Sequence, residues 1–277
     1  MENLAAAADQ FKPQGTVIDI HEYGNGNIND TFLVTLDSKT EKHFILQRIN
    51  TQVFPQPERI MLNMRTFTEH VHKRLQNAPP SPGRRWEVVR VLLAQEGQDH
   101  WLDPAGSFWR AISFIDGAQS FDTIEDIEHA REVGCALGMF HTLLSDLDSE
   151  RLVDTLEGFH ITPQYLLHYD EVLAQEQPSK SPEVAYGLEF VSQRRDWAHV
   201  LENGKEKGRL HLRPIHGDPK VNNVMIDTGT GQAISIVDLD TVKPGLVHYD
   251  IGDCLRSGCN LLGEDAEQWE MVRFDPE

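Results

Sequence analysis

The sequence is poor in cysteine, in basic residues and in long apolar runs. Its three cysteines, Cys135, Cys254 and Cys259, are odd in number and form no CxxC pair, which favours reduced thiols over a disulfide framework or a zinc site. No apolar run approaches the roughly 20 residues that span a bilayer, and Glu2 stands where a secretory signal would be basic. We therefore expect a cytoplasmic protein with no membrane segment.

The charge balance is strongly acidic. The chain has 25 Lys and Arg against 44 Asp and Glu, a net charge of −19. Binding to a phosphate backbone needs clustered basic residues, so this balance argues against nucleic acid as a partner. It is compatible with a cationic substrate drawn to an acidic cleft, although an ordinary solvated acidic surface explains it more simply.

Residues 1–116 have the pattern of a small β-rich lobe with one helix. Apolar residues from Ile60 to Leu75 recur at spacings of three and four, which predicts a helix. Alternating or β-branched runs on both sides of it predict six strands: Thr16–His21, Thr31–Leu36, His43–Ile49, Trp86–Leu93, His100–Leu102 and Phe108–Ile115.

Residues 117–277 have a mainly helical pattern. Asp122 followed by Glu125 resembles a capping box, and an apolar stripe runs from Ile127 to Leu144. Further helices are expected over Pro163–Glu176 and Pro182–Leu201. We therefore predict an α+β protein with two lobes, a small β-rich lobe over 1–116 and a mainly helical lobe over 117–277.

The segment from His216 to Asp238 is the most informative. Asp218 and Asn223 fit the catalytic-loop pattern D-x-x-x-x-N, in which the Asp accepts a hydroxyl proton and the Asn binds Mg²⁺. Asp238 follows Asp218 by twenty residues, at the end of a Val/Ile-rich run, which fits the other Mg²⁺ ligand. Lys220 could reach the γ-phosphate, and His216 is expected to hold the loop's backbone. The pattern predicts an enzyme that moves a nucleotide γ-phosphate onto an alcohol. It indicates a protein-kinase-like fold, in which 1–116 holds the nucleotide and 117–277 carries the catalytic loop and the metal site.

Two further features belong to nucleotide binding in this interpretation. Gly24, Gly26 and Asn27 lie in a turn between the first two strands, where a phosphate-covering loop belongs, although Asn-Gly also suits an ordinary hairpin. The third strand lacks the usual lysine. Gln47 faces the cleft if Ile45 and Ile49 do, which leaves Arg48 outside; the pattern alone does not decide which face is inward.

The segment after Asp238 supplies additional candidates. Asp250 and Asp253 could orient the catalytic loop or contact the substrate, and Arg256 could bind the substrate or stabilise a helix end. A structural role is as plausible as a catalytic one for each. Asp253 and Arg256 are the candidate substrate residues.

These motifs together resemble the aminoglycoside phosphotransferase/choline kinase superfamily. The residues concerned are Tyr-Gly-x-Gly-x-Ile-Asn-x-Thr from Tyr23, Ile-Leu-Gln-x-x-Asn from Ile45, Asp-x-Lys-x-Asn-Asn from Asp218 and Ile-Val-Asp-Leu-Asp-Thr from Ile236. The chain looks most like the N-acetylhexosamine 1-kinases. That resemblance implies ATP and Mg²⁺, an amino-sugar acceptor phosphorylated at its anomeric hydroxyl, Asp218 as the base, and Asn223 and Asp238 as metal ligands. It also implies that Gln47 in the third strand is a feature of the branch.

Chains of that family usually continue with several helices after the Asp-x-Gly-Asp segment, and these help to wall the substrate pocket. Here 24 residues follow Asp253. We therefore expect an exposed apolar surface where such helices dock, which a second chain could cover. Sugar turnover is expected to be poor unless that wall is supplied.

Other interpretations stay open. Within the class, the acceptor could be an aminoglycoside, choline or homoserine. From a different class, the chain could be a non-catalytic nucleotide-binding module, although Asp218, Asn223 and Asp238 together argue against that. A protein kinase is disfavoured by the His-Gly-Asp form and by the lack of a recognisable Ala-Pro-Glu element after Asp238.

Overall fold

The structure is a computed structural model that describes residues 2–11, 15–24, 26, 28–77, 83–175, 181–263 and 269–276. It is an α+β fold with an antiparallel sheet in its N-terminal part and a helical C-terminal part, as predicted. The strands are β1 Thr16–Glu22, β2 Asp30–Asp37, β3 His43–Ile49, β4 Val91–Leu92, β5 Trp101–Leu102, β6 Phe108–Ser113, β7 Ala118–Gln119, β8 Arg213–Ile215, β9 Val224–Asp227, β10 Ala233–Ile236 and β11 Lys243–Gly245. The α-helices are α1 Glu2–Phe11, α2 Pro57–Asn77, α3 Ile127–Leu143, α4 Thr162–Gln175, α5 Pro182–Arg194, α6 Val200–Glu206 and α7 Val247–Gly258.

The N-terminal sheet is covered on both faces. Its strands follow the antiparallel order β1-β2-β3-β6-β4, with β5 also paired to β6. Because side chains alternate along a strand, β3 serves two cores: Phe44 and Leu46 pack in the cluster that contains α1, and Ile45 packs in the cluster that contains α2. Strand β3 therefore lies in the centre of the N-terminal part, with its last residues beside the catalytic region.

Two predicted elements differ from those observed, and one observed helix was not predicted. Only Val91–Leu92 of the predicted strand 86–93 forms a ladder, because Glu87 donates its backbone N–H to Ile234 of β10 instead of a neighbour in the N-terminal sheet. The predicted helix Pro182–Leu201 is interrupted by a 3₁₀ segment, Arg195–His199. Helix α1 was not predicted, although its apolar residues at positions 4, 7, 8 and 11 have helical spacing.

The predicted capping box at Asp122 and Glu125 is wrong. Helix α3 begins four residues later, where the Asp126 side chain accepts the backbone N–H of His129. An Asp side chain caps a helix only when it reaches the N–H of the second or third helical residue. Spacing alone could not separate the two aspartates.

Two small sheets place the catalytic loops next to each other. Strands β10, β9 and β7 form one sheet, and β8 pairs with β11 in another. The loop after β8 begins at His216, and the loop after β10 begins at Val237. A hydrogen bond from Val237 N to Asn223 O, 2.8 Å long, joins the two loops.

Helices α4 and α5 contain no buried residue. Apolar side chains on and after them are open to solvent: Tyr165, Leu167, Val172, Tyr186, Phe190, Trp197 and Val200.

Within the described part of the chain, no helix is long and apolar enough to cross a membrane.

Candidate active site

The catalytic loop has one position, Gly217, at which a side chain would be strained. Gly217 has φ +88°, and a Cβ there would lie 2.6 Å from the Thr241 carbonyl oxygen. The Thr241 hydroxyl in turn donates to the His216 carbonyl, 2.9 Å away. The catalytic loop therefore packs directly against the loop that carries Asp238.

Asp250 of α7 fixes the backbone of the catalytic loop through hydrogen bonds. Its carboxylate is fully buried and accepts the backbone N–H groups of His216 and Gly217, each at 2.8 Å. His141 Nε2 lies 3.0 Å from the same carboxylate. Ser257, two turns further along α7, accepts the N–H of Val221. One face of α7 thus fixes both ends of the loop, which assigns Asp250 the orienting alternative of its two predicted roles.

His216 holds backbone and is unsuited to act as a base. Burial lowers the pKa of its imidazole, although nearby Asp250 opposes that shift. In the neutral tautomer that satisfies both neighbours, Nε2–H donates to Val237 O at 2.9 Å and Nδ1 accepts from Asp218 N at 3.3 Å. The ring therefore links the two catalytic loops.

The structure brings Asp218, Lys220 and Asn223 together. The Lys220 ammonium lies 3.3 Å from an Asp218 carboxylate oxygen, and both side chains are about a quarter exposed. Asn223 is buried and donates its amide to the Asp218 carbonyl at 2.8 Å, so its Oδ1 is the atom left for a ligand. A partly open carboxylate beside a fixed cation can accept a proton from an incoming hydroxyl.

Asp238 is placed where negative charge accumulates. It adopts a left-handed backbone, φ 62° and ψ 64°, a conformation that costs free energy for a residue other than glycine and often occurs at functional sites. Desolvation, followed by repulsion from Asp240 and Asp218, raises the pKa of its carboxyl to about 7. Asp238 is exposed to solvent, so repulsion from the two carboxylates is the larger physical cause.

This donor set fits a divalent cation. The carboxylates of Asp240 and Asp218 lie close enough to Asp238 to disfavour its ionisation, and the positive charges of Arg110 and Lys220 compensate only in part. Carboxylate and amide oxygens are the ligands that Mg²⁺ prefers, with water and phosphate completing its shell. The Asp238 carboxylate and Asn223 Oδ1 are therefore two protein oxygens that could hold such a cation.

Sequence reasoning missed a buried ion pair next to the metal loop. Arg110 of β6 is 1% exposed, and its Nη1 lies 2.6 Å from Asp240 Oδ1. Arg110 also donates through Nε and Nη2 to the Gln47 side-chain oxygen, at 3.0 and 2.8 Å. The alternation of residues 108–113 could have pointed Arg110 towards the cleft, but only the strand register shows that it faces Gln47.

Gln47 lies on the face of β3 that meets Arg110 and, through it, Asp240 of the metal loop, a choice of face that the sequence pattern left open. Its amide nitrogen donates to Thr31 and its oxygen accepts from Arg110. Arg48 points outward and pairs with Asp30 at the surface. The Gln47 amide is therefore occupied by protein contacts at both of its ends.

The glycine turn lies between β1 and β2. Gly24 and Gly26 are exposed, Gly24 has φ +79°, and a Cβ at either position would meet no atom of the described residues. Tyr23 N donates to Thr31 O and closes the turn. Asn27 lies outside the described residues.

Asp253 and Arg256 form a pair on α7. Arg256 donates twice to Asp253 Oδ1, at 2.9 and 2.7 Å, while the buried Oδ2 has no hydrogen-bond partner among the described residues. Burial raises the pKa of the Asp253 carboxyl, and nearby Asp218 adds to that rise. His160, a second residue in the left-handed region with φ 68°, contacts the Gly217 carbonyl through its ring. Nothing in the sequence pattern had marked His160.

Helix α2 is tied to the metal loop by one buried side chain. Asn63 donates its amide to Val153 O and Val242 O, at 2.7 and 2.8 Å, and accepts Val153 N. Its position within the predicted helix gave no signal of this role, because the partners lie about 90 and 179 residues away.

The sequence profile of the phosphotransferase enzyme family, abbreviated APH, matches residues 19–275. The chain belongs to this family. The match covers the glycine turn, the catalytic loop and the metal loop in one span.

Solved structures with the same fold include enzymes with different acceptors. The GDP and kanamycin complex of APH(2")-IIia has 13% identity, covers 93% of this chain and 78% of that one, and gives a TM-score of 0.60. Amicoumacin kinase hAmiN, in complex with AMP-PNP, Ca²⁺ and Ami, has 14% identity, 92% and 68% coverage, and a TM-score of 0.55. Plasmodium vivax ethanolamine kinase has 14% identity, 86% and 60% coverage, and a TM-score of 0.52. At these identities the likeness establishes a kinase-like phosphotransferase fold.

Proposed function

We propose that this phosphotransferase moves the γ-phosphate of ATP onto a hydroxyl of a small molecule, with Mg²⁺ as its cofactor. The observation that carries the proposal is the convergence of Asp218, Asn223 and Asp238 through the bonds from Asn223 to Asp218 O and from Val237 to Asn223 O. In this proposal 1–116 holds the nucleotide, and 117–277 supplies the base, the metal ligands and the acceptor pocket. The nucleotides in the solved structures of the fold support it: GDP in one and AMP-PNP in another.

The proposed roles follow from the geometry. Asp218 orients the acceptor hydroxyl and takes its proton, since its carboxylate is partly open and held by the loop. Lys220, 3.3 Å from that carboxylate, screens charge between it and the transferring phosphoryl group. Asn223 Oδ1 and Asp238 hold Mg²⁺, which when bound neutralises charge on the nucleotide phosphates. Gly24, Gly26 and Asn27 cover the phosphates, and Gln47 supports the nucleotide from β3.

For the acceptor we propose the anomeric hydroxyl of an N-acetylhexosamine, a reaction of carbohydrate metabolism. The motif resemblance supports this choice. Asp253 Oδ2, which has no hydrogen-bond partner among the residues that the structure describes, offers an acceptor for a second hydroxyl of a sugar, and Arg256 is the neighbouring donor. The alternative is an aminoglycoside, choline or homoserine as acceptor, of which the first two are cationic. The net charge of −19 favours it, as do the kanamycin and ethanolamine kinase structures of the same fold.

The test is acceptor-dependent ADP release. The purified chain is incubated with Mg-ATP and, separately, N-acetylhexosamines, other sugars, aminoglycosides, choline and homoserine, with Asp218→Asn as the inactive control. ADP release with an N-acetylhexosamine supports the proposed acceptor. Release with a cationic acceptor alone keeps the kinase and replaces its substrate. Nucleotide binding without release for any acceptor favours a non-catalytic nucleotide-binding module.

A further inference from the structure

The N-terminal sheet lacks a lysine at the centre of β3, yet it places a cation at the adjacent position of the next strand. Gln47 and Arg110 are direct partners in the antiparallel register of β3 and β6. Side chains of directly opposed residues lie on the same face of a sheet. Arg110 therefore enters the cleft from the strand next to the one where a cation was expected.

Arg110 is held on two sides. Its Nε and Nη2 donate to the Gln47 oxygen, and its Nη1 lies 2.6 Å from Asp240 Oδ1, an ion pair in which both side chains are at most 3% exposed. The contact with Asp240 is an ion pair and not a hydrogen bond, because neither Arg110 Nη1 nor Asp240 Oδ1 has a hydrogen-bond partner among the described residues. The bridge runs from the N-terminal sheet to the residue two positions after Asp238.

Both oxygens of Asp240 are engaged by the N-terminal part of the chain. Oδ1 faces Arg110, and Oδ2 accepts from Asn29 Nδ2 at 2.7 Å. Asn29 in turn accepts the N–H of Asn50, directly after β3. The Asp240 carbonyl accepts the Thr155 hydroxyl. Contacts thus fix both the side chain and the backbone of Asp240. Because both of its carboxylate oxygens contact protein groups, Asp240 is not proposed as a metal ligand.

We infer that Arg110 is a positioning residue: by fixing Asp240 against the N-terminal sheet, it sets the left-handed turn that presents Asp238 to the metal. This inference rests on the proposed function, because it concerns the same metal site. Arg110 acts through Asp240 and touches neither metal nor nucleotide. Asp240, the second acid of Asp-Leu-Asp, accordingly positions the loop, while Asp238, the first acid, is the metal ligand.

The test uses four variants. Arg110→Gln removes the cation but leaves Asp240 charged and buried, so loss of folding is expected with it. Arg110→Gln combined with Asp240→Asn neutralises both partners and restores a matched pair. Arg110→Lys keeps the charge without the planar fork. Arg48→Gln is the matched control, since Arg48 is the neighbouring arginine on the same sheet and forms an exposed pair with Asp30.

Three readouts are compared with wild type: thermal melting, hydrogen exchange of the amides at 237–242 in the metal-free protein, and Mn²⁺ affinity by electron paramagnetic resonance with ADP present. We expect the double variant to melt like wild type, to exchange faster at 237–242, and to bind Mn²⁺ about 10–100-fold more weakly, the usual effect of losing an outer support of a metal ligand. Arg110→Lys should recover part of the affinity, and Arg48→Gln should match wild type throughout.

Wild-type exchange and Mn²⁺ affinity in the double variant would overturn the inference, because a merely structural pair would be fully replaced by its neutral counterpart. Failure of the proposed function looks different. In that case wild-type protein itself shows no Mn²⁺ binding with ADP and no acceptor-dependent ADP release, and the role of Arg110 in the metal site is rejected together with that site.

Discussion

At the residue scale, Asp238 is a proposed metal ligand and also lowers the stability of the metal-free protein. Repulsion from Asp240 and Asp218 disfavours its ionised form in the folded state. We expect Asp238→Asn to stabilise the metal-free protein, since Asn tolerates the left-handed backbone and carries no charge. The same change should weaken Mg²⁺ binding at least about tenfold, because a ligand is worth no less than its outer support. Melting with and without Mg²⁺ measures both effects.

The pH dependence of that stabilisation has a definite sign. The folded-state pKa of Asp238 is raised from 3.8 to about 7, so the folded protein retains this proton longer than the unfolded chain. Wild type should therefore lose stability relative to Asp238→Asn as pH rises from about 4 to 7. Asp19→Asn, an exposed carboxylate of β1, serves as the control. A difference that stays constant over this range would contradict the proposed repulsion.

Gly217 fixes the catalytic loop through its backbone. Gly217→Ala places a Cβ 2.6 Å from Thr241 O at φ +88°, which we expect to cost about 1–3 kcal/mol of unfolding free energy. Gly134→Ala in helix α3 is the matched control. Its Cβ would meet no described atom, and it should stabilise the protein by roughly 0.5–1 kcal/mol. Urea unfolding distinguishes them; equal effects at both positions would be inconsistent with a strained loop.

The site was only partly predictable from single residues. Asp218, Asn223 and Asp238 have the sequence spacing of a phosphoryl-transfer motif, which made them recognisable, and the structure brings them together. Arg110 and Asn63 have no such spacing, because their partners lie 130 and 179 residues away. Their roles depend on strand register and helix docking, which periodicity does not specify.

At the scale of elements, the start of α3 separates two candidate caps. Asp126 accepts the His129 N–H, whereas Asp122 lies before the helix. Asp126→Ala should cost about 1 kcal/mol of unfolding free energy, while Asp122→Ala should have little effect. Urea unfolding of the two variants is the measurement, and a larger loss at Asp122 would mean that the helix starts earlier than observed.

Helices and strands were predicted well where the local sequence pattern determines the structure, and poorly where contacts with distant residues determine it. The alternation of His43–Ile49 and the periodicity around Phe67 gave β3 and α2. Residues 86–90 are extended and rich in β-formers, but Glu87 pairs with Ile234 instead of the N-terminal sheet. No feature of residues 86–90 specifies this partner, which lies about 150 residues further along the chain.

At the scale of the whole molecule, one ion pair joins three distant segments. Glu132 of α3 accepts both Arg84 Nη1 and Nη2, at 2.6 and 2.9 Å, and the N–H of Ala233 in β10 at 2.8 Å. The hydrogen bonds from Arg84 hold the pKa of the Glu132 carboxyl below its usual 4.5. The stability it contributes is therefore present above about pH 4.5 and is lost as pH falls through the lowered value.

Glu132→Gln should accordingly destabilise the protein at neutral pH by about 1.5–3 kcal/mol, the range for hydrogen bonds to charged groups. The difference from wild type should shrink below pH 4.5. Glu128→Gln on the same helix, an exposed pair with Arg131, should change stability by less than about 1 kcal/mol. Urea unfolding at pH 7 and pH 3.5 checks both; a pH-independent loss at Glu132 would contradict the assigned pKa.

The account as a whole depends on Asp218 acting as the base of a phosphoryl transfer. The most direct test is the turnover number of Asp218→Asn against wild type, at saturating Mg-ATP and saturating acceptor, together with nucleotide affinity. We predict a fall in kcat of about 10²–10⁴-fold with Mg-ATP binding unchanged. Near wild-type turnover in Asp218→Asn would contradict the central claim.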